Sequence, residues 1–364
     1  MSNDEIFTTK PFMPPFDEYT KLVRRAFDSE EFTNHGGLLT ELEKKLEDYL
    51  KLDGLQCVTS ATTGLQMAIK ALGIEAGSEI ITAPFSYVAT TTAILAEKCV
   101  PVYADIEPDN FNLDADKIEP LITEKTKAIM PVHIFGYPCN TEKIEEIAKK
   151  YNLKVIYDAA HAFGARYKGK SILEYGDISV VSMQESKLFH TVEGGIIYSK
   201  DKTLMEKINL LKQCGHIDDN FITDGFNARL SELHAAMGLA NIKYIDNIIE
   251  KRKKLCEIYD RRLANYVKLP KKQATLEYKY PYYVIVLKSV EEKDNVMNTL
   301  CENGIYPWHC YYPTLNTLPY LKTRQSCPVA EDVCARILQM PLYYQLETKD
   351  IERVCDVTLS VLRG

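Results

Sequence analysis

Between Leu55 and Lys200 short apolar runs alternate with stretches of helical spacing. LQCVTS, EIITAP, VPVYADI, KAIMPVHIF, KVIYDAA, ISVVSM and GGIIYS read as strands. Their runs are apolar on both faces, as strands covered by helices on two sides must be. TTGLQMAIKALGI, ATTTAILAEK and NTEKIEEIAKKYN bring an apolar residue back every three or four positions, which predicts helices. Asn140 stands where the last of them needs an N-cap. The alternation predicts an α/β fold with a large domain built on a mostly parallel central sheet flanked by helices.

After Arg229 the rhythm changes. LSELHAAMGLANIKYIDNIIEKRKKLCEIYDRRLANY keeps helical spacing over a span too long for one ordinary helix, so two helices or one bent helix are expected. PYYVIVLKS then reads as a strand, VEEKDNVMNTLCENG as a helix ended by Gly304, and a Pro- and Tyr-rich stretch follows. This predicts a smaller C-terminal α+β domain. The boundary is placed near Lys243, giving residues 1–243 to the large domain with an N-terminal arm and residues 244–364 to the small one.

The 364 residues suffice for a large core, and 46% hydrophobic with 26% charged residues is the balance of a soluble globular protein. A net charge of −7 gives no sign of a nucleic-acid footprint. No apolar run has the length of a membrane span. The start, MSNDEIFTTKPF, lacks the apolar segment of a signal peptide, and the ten cysteines stand singly with no CxxC pair. Reduced thiols and a cytoplasmic location are expected. No His/Cys/Asp cluster has zinc spacing, so no metal site is expected.

Several polar residues fall at the ends of the predicted strands, where open parallel sheets bind ligands. Asp158 closes KVIYD, and Lys187 lies just beyond ISVVSM. Ser60, Ala61, Thr62 and Thr63 form the strand-to-helix junction TSATTGL, where hydroxyls and free N–H groups can cradle a phosphate. Tyr87, in PFSYVAT, begins the next helix and can cover a planar ring. Singly, each has a plainer reading as a loop acid, a solvated lysine or a core tyrosine. Together they supply what pyridoxal 5′-phosphate (PLP) demands: an amine for its aldehyde, a carboxylate for its pyridine nitrogen, and donors for its phosphate. In Glu193-Gly194-Gly195 the glycines permit close backbone approach to the ligand. No GxGxxG follows any strand, which argues against a dinucleotide-binding dehydrogenase.

The order SATTGL, PFSYVAT, YDAAHAFG, SMQESK…EGG and GFNARLSELHAA resembles the DegT/StrS family of PLP-dependent sugar aminotransferases, and the resemblance runs from KPFMPPFDEY and FTNHGG to MPLYY. It implies a fold type I PLP-dependent transferase. Within the family the wording is closest to the VioA-like branch, whose members aminate a dTDP-linked 4-keto-6-deoxyhexose. Carried over, the resemblance implies that Lys187 joins the cofactor and that Asp158 partners its pyridine nitrogen. His161 would lie near the ring hydroxyl. Ser182 would bind the phosphate with Thr62 and neighbouring N–H groups, and Asn227 would reach that phosphate from the other subunit of a homodimer. Ala61 stands where the family commonly has Gly. Gln184 and Glu185 replace a His and a small residue, so SMQESK differs from the usual SFHATK. His133, His190, His309 and Gln184 are candidate substrate contacts.

The implied reaction moves an amino group from L-glutamate to a dTDP-linked keto-6-deoxyhexose, for bacterial surface polysaccharide such as O-antigen. Amination at C4, from dTDP-4-keto-6-deoxyglucose to dTDP-4-amino-4,6-dideoxyglucose, is favoured over amination at C3. Family members that act as sugar dehydratases carry His in place of the lysine, so Lys187 favours transamination. A non-catalytic PLP-binding sensor would carry a DNA-binding segment, and none is visible. Neither a nucleic-acid nor a membrane partner is expected.

Overall fold

A computed structural model describes residues 5–322 and 324–363. All seven strand candidates form strands, and together they make the central sheet. After a short N-terminal strand β1 (Ile6–Phe7) come β2 (Gln56–Val58), β3 (Glu79–Thr82), β4 (Val100–Tyr103), β5 (Thr126–Met130) and β6 (Lys154–Asp158). A small hairpin, β7 (Arg166–Tyr167) and β8 (Lys170–Ser171), separates these from β9 (Ile178–Ser182) and β10 (Gly195–Tyr198). The sheet order is β2-β10-β9-β6-β5-β3-β4. Its pairs are parallel except those of β10, which runs antiparallel to both β9 and β2. A parallel return needs a long crossover, usually helical. Residues 183–194 form only a loop, so β10 must come back antiparallel. That loop carries Lys187.

Helices follow the strands as the spacing predicts. After α1 (Phe16–Ser29) and α2 (Gly37–Leu50), α3 (Ala61–Ala71) and α4 (Ala89–Ala96) follow β2 and β3, and α5 (Thr141–Tyr151) precedes β6. Asn140 caps α5, its side-chain oxygen accepting from the Lys143 N–H at 3.2 Å. α3 lies close on the sheet because Gly64 faces it; a Cβ there would sit 2.8 Å from Val180 Cγ1. Leu65, Met67, Ala68 and Ile69 then bury against Val58, Val180 and Ile197. Beyond α6 (Lys202–Lys212) the hairpin β11 (His216–Ile217) and β12 (Asn220–Phe221) leads to α7 (Glu232–Asn241). The long helical run is two helices: a 3-10 turn at Ile242–Tyr244 separates α7 from α8 (Ile245–Leu263).

In the C-terminal part, β13 (Leu276–Glu277) joins the β7–β8 hairpin, and β14 (Tyr283–Val286) pairs with β16 (Ile337–Met340). α9 (Val290–Glu302), α10 (Pro328–Arg336) and α11 (Thr348–Leu362) surround that pair, with Tyr259, Ile285, Leu300, Leu338 and Val354 in one apolar cluster. Between α9 and α10, β15 (Ile305–Tyr306) pairs in parallel with β1, Ile6 opposite Ile305. The N-terminal arm is thereby sewn onto the C-terminal part. All ten cysteines are free. Among the described residues no helix is long and apolar enough to cross a membrane, and no cluster could hold a metal ion.

One long-range cap ties the large part together. Glu232, at the start of α7, is buried, and its carboxylate accepts from the N–H groups of Leu38 (2.7 Å) and Leu39 (3.0 Å) in the first turn of α2. Those N–H groups have no intrahelical acceptor, and a charged acceptor roughly doubles the strength of such bonds. Glu232→Ala should therefore cost about 2–3 kcal/mol of stability, read as a lowered urea midpoint. Glu232→Gln, which retains one acceptor, should cost less.

Candidate active site

The carboxyl ends of β2, β6 and β9 open into one cleft of ≈ 820 Å³. Asp158, the last residue of β6, lies on its floor and is 4% exposed. Asp158 Oδ2 accepts from Thr90 Oγ1 at 2.7 Å, and Oδ1 accepts from the Ala160 N–H at 3.1 Å. Thr90 is itself braced by Ser86, 2.9 Å between the hydroxyls. Burial pushes the Asp158 carboxyl above the usual carboxylate range; the two hydrogen bonds and the charge of Lys187 oppose that shift without cancelling it. A cation placed against this carboxyl would find an acceptor that is desolvated and already oriented.

Lys187 stands across the cleft, and its Nζ donates to the Tyr282 hydroxyl at 3.0 Å. Its N–H donates to the Gln184 carbonyl at 2.9 Å, making a tight turn directly after β9. Further along the same loop Val192 adopts φ 71°, a left-handed conformation that costs a β-branched residue about 1–3 kcal/mol. His190 holds the strained segment. Its Nδ1 accepts from the Val192 N–H at 3.2 Å, so the ring proton sits on Nε2 and is donated to the Phe12 carbonyl at 2.7 Å. Burial keeps His190 below the ordinary histidine pKa, consistent with a neutral ring.

One corner of the cleft is the N-terminus of α3. Ser60 caps it, accepting from the Thr63 N–H at 3.1 Å and bonding the Thr63 hydroxyl at 3.0 Å. Thr63 is thus used internally, while Ala61, Thr62 and the Ser182 side chain line the cleft. The N–H groups of Ala61 and Thr62 belong to the first helical turn and have no intrahelical acceptor. Gly195 presses on this turn from behind: a Cβ there would meet Ala61 N at 2.8 Å. The close approach expected of that glycine toward a ligand is made instead toward the turn itself.

His161 is buried beside Asp158. Its Nδ1 accepts from the Phe135 N–H at 3.1 Å, so its proton lies on Nε2, 3.2 Å from the Tyr311 hydroxyl. Burial, then the charge of Lys187, pushes its pKa well below the usual value, and the ring is neutral. Tyr311 therefore accepts from His161 and has its own proton to offer a ligand. It holds that place at φ 61°, in the left-handed region.

Of the candidate residues, Asp158, Lys187, His161, Ser182, Ala61, Thr62, Tyr87 and Gln184 share the cleft, Tyr87 at its rim and 58% exposed. The other histidines do not line it. His133 is wholly buried, stacked on Tyr157 with ring centroids 4.4 Å apart, and burial pushes it down to about 3. His190 serves the loop just described, and His309 bonds the Cys334 carbonyl at 2.7 Å. Asn227 lies exposed outside its own chain's cleft, its side-chain oxygen accepting from Arg229 at 3.3 Å. Thr90, Tyr282 and Tyr311 were missed. For Thr90 a signal existed, since it falls one helical turn beyond Tyr87 on the predicted helix.

Residues 16–358 match the DegT/DnrJ/EryC1/StrS aminotransferase family. The chain belongs to that family. A dTDP-4-amino-4,6-dideoxy-D-glucose transaminase of Shigella dysenteriae is 35% identical over 96% of this chain and 97% of its own length. A GDP-perosamine synthase of Escherichia coli O157:H7 is 32% identical over 92% and 93%. A dTDP-3-amino-3,6-dideoxy-alpha-D-galactopyranose transaminase of Aneurinibacillus thermoaerophilus is 32% identical over 88% and 89%. The crystal structure of DesI in the presence of its TDP-sugar product superposes with a TM-score of 0.93 at 28% identity, covering 100% of this chain and 94% of that one. The protein is accordingly a sugar-nucleotide aminotransferase whose cofactor is PLP.

The cleft fits that cofactor: a desolvated acid for a pyridinium, free helix N–H groups for a phosphate and an amine for an aldehyde all face one space. Thr90→Val removes the hydroxyl that supports the charged form of Asp158 and leaves the packing volume nearly intact. It should weaken PLP binding about tenfold, measured by titrating apoenzyme and following the cofactor's absorbance. Gly195→Ala should weaken binding by at least as much through the displaced Ala61 turn.

Proposed function

We propose that this aminotransferase moves the amino group of L-glutamate onto C4 of a dTDP-linked 4-keto-6-deoxyhexose, working as a homodimer in the cytoplasm. The observation that supports it most is the pairing of the Lys187 amine and the buried Asp158 carboxylate in one cleft. It is joined by full-length similarity to a relative named for a dTDP-4-amino sugar.

Bound PLP supplies an aldehyde that captures amino groups and a ring that withdraws electrons from the carbon being deprotonated. Asp158 keeps a proton on the ring nitrogen, and its desolvation strengthens that charge pairing. Thr62, Ser182 and the N–H groups of Ala61 and Thr62 would hold the phosphate, with Asn227 of the partner subunit completing the site. Tyr87 would cover the ring, and His161 would stand near its hydroxyl. Lys187, once its amine is free, takes a proton from the glutamate Cα and later returns one to the sugar carbon. Tyr311, whose proton is free, is placed to donate to a ligand oxygen.

Similarity to a transaminase named for a 3-amino sugar favours amination at C3 as the second reading. Incubation with glutamate and dTDP-4-keto-6-deoxyglucose, followed by mass and NMR analysis, should give the 4-amino sugar. Product formed only when a 3,4-ketoisomerase is added would move the assignment to C3. Lys187→Ala should lose about 10³-fold or more of turnover. Borohydride treatment of the wild-type holoenzyme and peptide mapping should leave the cofactor mass on the peptide carrying Lys187. A label elsewhere would refute the role given to that residue.

A further inference from the structure

We propose that Tyr282 is a positioning residue whose phenol holds the Lys187 amine whenever that amine is not covalently engaged. The proposal rests on the reading of Lys187 as the cofactor-linked, proton-carrying lysine. Tyr282 Oη lies 3.0 Å from Lys187 Nζ, on the opposite side of the sequence and from the strand region of the C-terminal part. Tyr282 itself is nearly buried, at 8% exposed.

The phenol is aimed by the groups packed around it. The backbone beside it is held: the Pro281 carbonyl accepts from Arg252 Nη1 at 2.9 Å, and the Tyr278 hydroxyl shares its proton between the Phe135 carbonyl at 3.1 Å and the Tyr282 carbonyl at 3.3 Å. Arg252 is buried, has no carboxylate partner among the described residues, and its Nε finds no hydrogen-bond partner. That guanidinium is anchored at the Pro281 carbonyl, directly before Tyr282. The Tyr282 ring is fixed on two more sides, edge-on to His161 (centroids 5.0 Å apart) and to Phe135 (5.8 Å).

A hydroxyl suits this task better than a carboxylate. Toward a neutral amine the phenol donates its O–H to the nitrogen lone pair; toward an ammonium it accepts an N–H. It therefore holds the lysine before and after proton pick-up, whereas a carboxylate would trap the protonated form as an ion pair. A released lysine side chain otherwise disperses over many rotamers, and ordering it again during proton transfer slows that step.

Tyr282→Phe keeps the ring packing and deletes only the hydroxyl. Its urea midpoint should match wild type. The glutamate KM should stay within about twofold while kcat and the single-turnover rate with glutamate fall about tenfold or more. Independently of activity, acetylation of the apoenzyme with acetic anhydride, read by peptide mapping, should modify Lys187 at least about threefold faster in the variant than in wild type, with the surface lysines unchanged. Wild-type rates for both labelling and turnover would overturn the proposal. Absence of the borohydride label from Lys187 in wild type would instead overturn the functional reading beneath it.

Discussion

The carboxylate at the end of β6 governs the design of this molecule. An acid taken out of water at a strand terminus resists ionisation, yet the role proposed for Asp158 needs it charged beside a cationic ring. The surrounding structure lowers that cost in steps. Thr90 donates from α4, Ala160 donates from the turn that follows, Ser86 braces Thr90, and Lys187 contributes its field from across the cleft. None of these cancels the effect of burial alone. A cation bound against this carboxyl would relieve the remaining imbalance.

The loop of residues 183–194 is the second element on which the site depends. It exists because β10 returns antiparallel without a helix, and that topology places the lysine opposite β6. The loop is not slack. Val192 is held in a disfavoured conformation, Gly194 is packed so tightly that a Cβ would lie 2.2 Å from Thr191 Oγ1, and His190 ties the segment to the N-terminal arm. Strain of this kind persists only where neighbouring contacts over-determine the backbone. Here it fixes the direction from which the amine enters the cleft.

Much of this was legible in the residues. The seven strands are dense apolar runs with turn residues between them, a local property that needs no knowledge of the fold. Asp158 and Lys187 were visible because they stand at or just past strand ends, where the sheet presents them together, and Ser182 only through the family resemblance. Tyr282 and Tyr311 were not, since their partners lie 95 and 150 residues away in sequence, and Thr90, 68 residues from its partner, was marked only by its place one helical turn beyond Tyr87. The alternation in PYYVIV offered only half a signal: Tyr283 turns into the core with Tyr259, and its neighbour Tyr282 faces the opposite way, toward the cleft. For His133 and His190 the chain position was informative and the ring direction was not. Both lie close to strand ends, and both rings turn inward to accept from backbone N–H groups of their own loops. The register of β10 likewise depends on loop length rather than on its own apolar run.

The pairing of β1 with β15 has a bearing on how the molecule is made. Phe7 and Thr8 border the same opening as Tyr306 and Trp308, so one wall is assembled from segments separated by nearly three hundred positions, Ile6 lying opposite Ile305. During synthesis the seven-stranded sheet can gather its own neighbours as they emerge, but this wall has no second half until late in translation. The pocket therefore lacks this wall until most of the chain has been made.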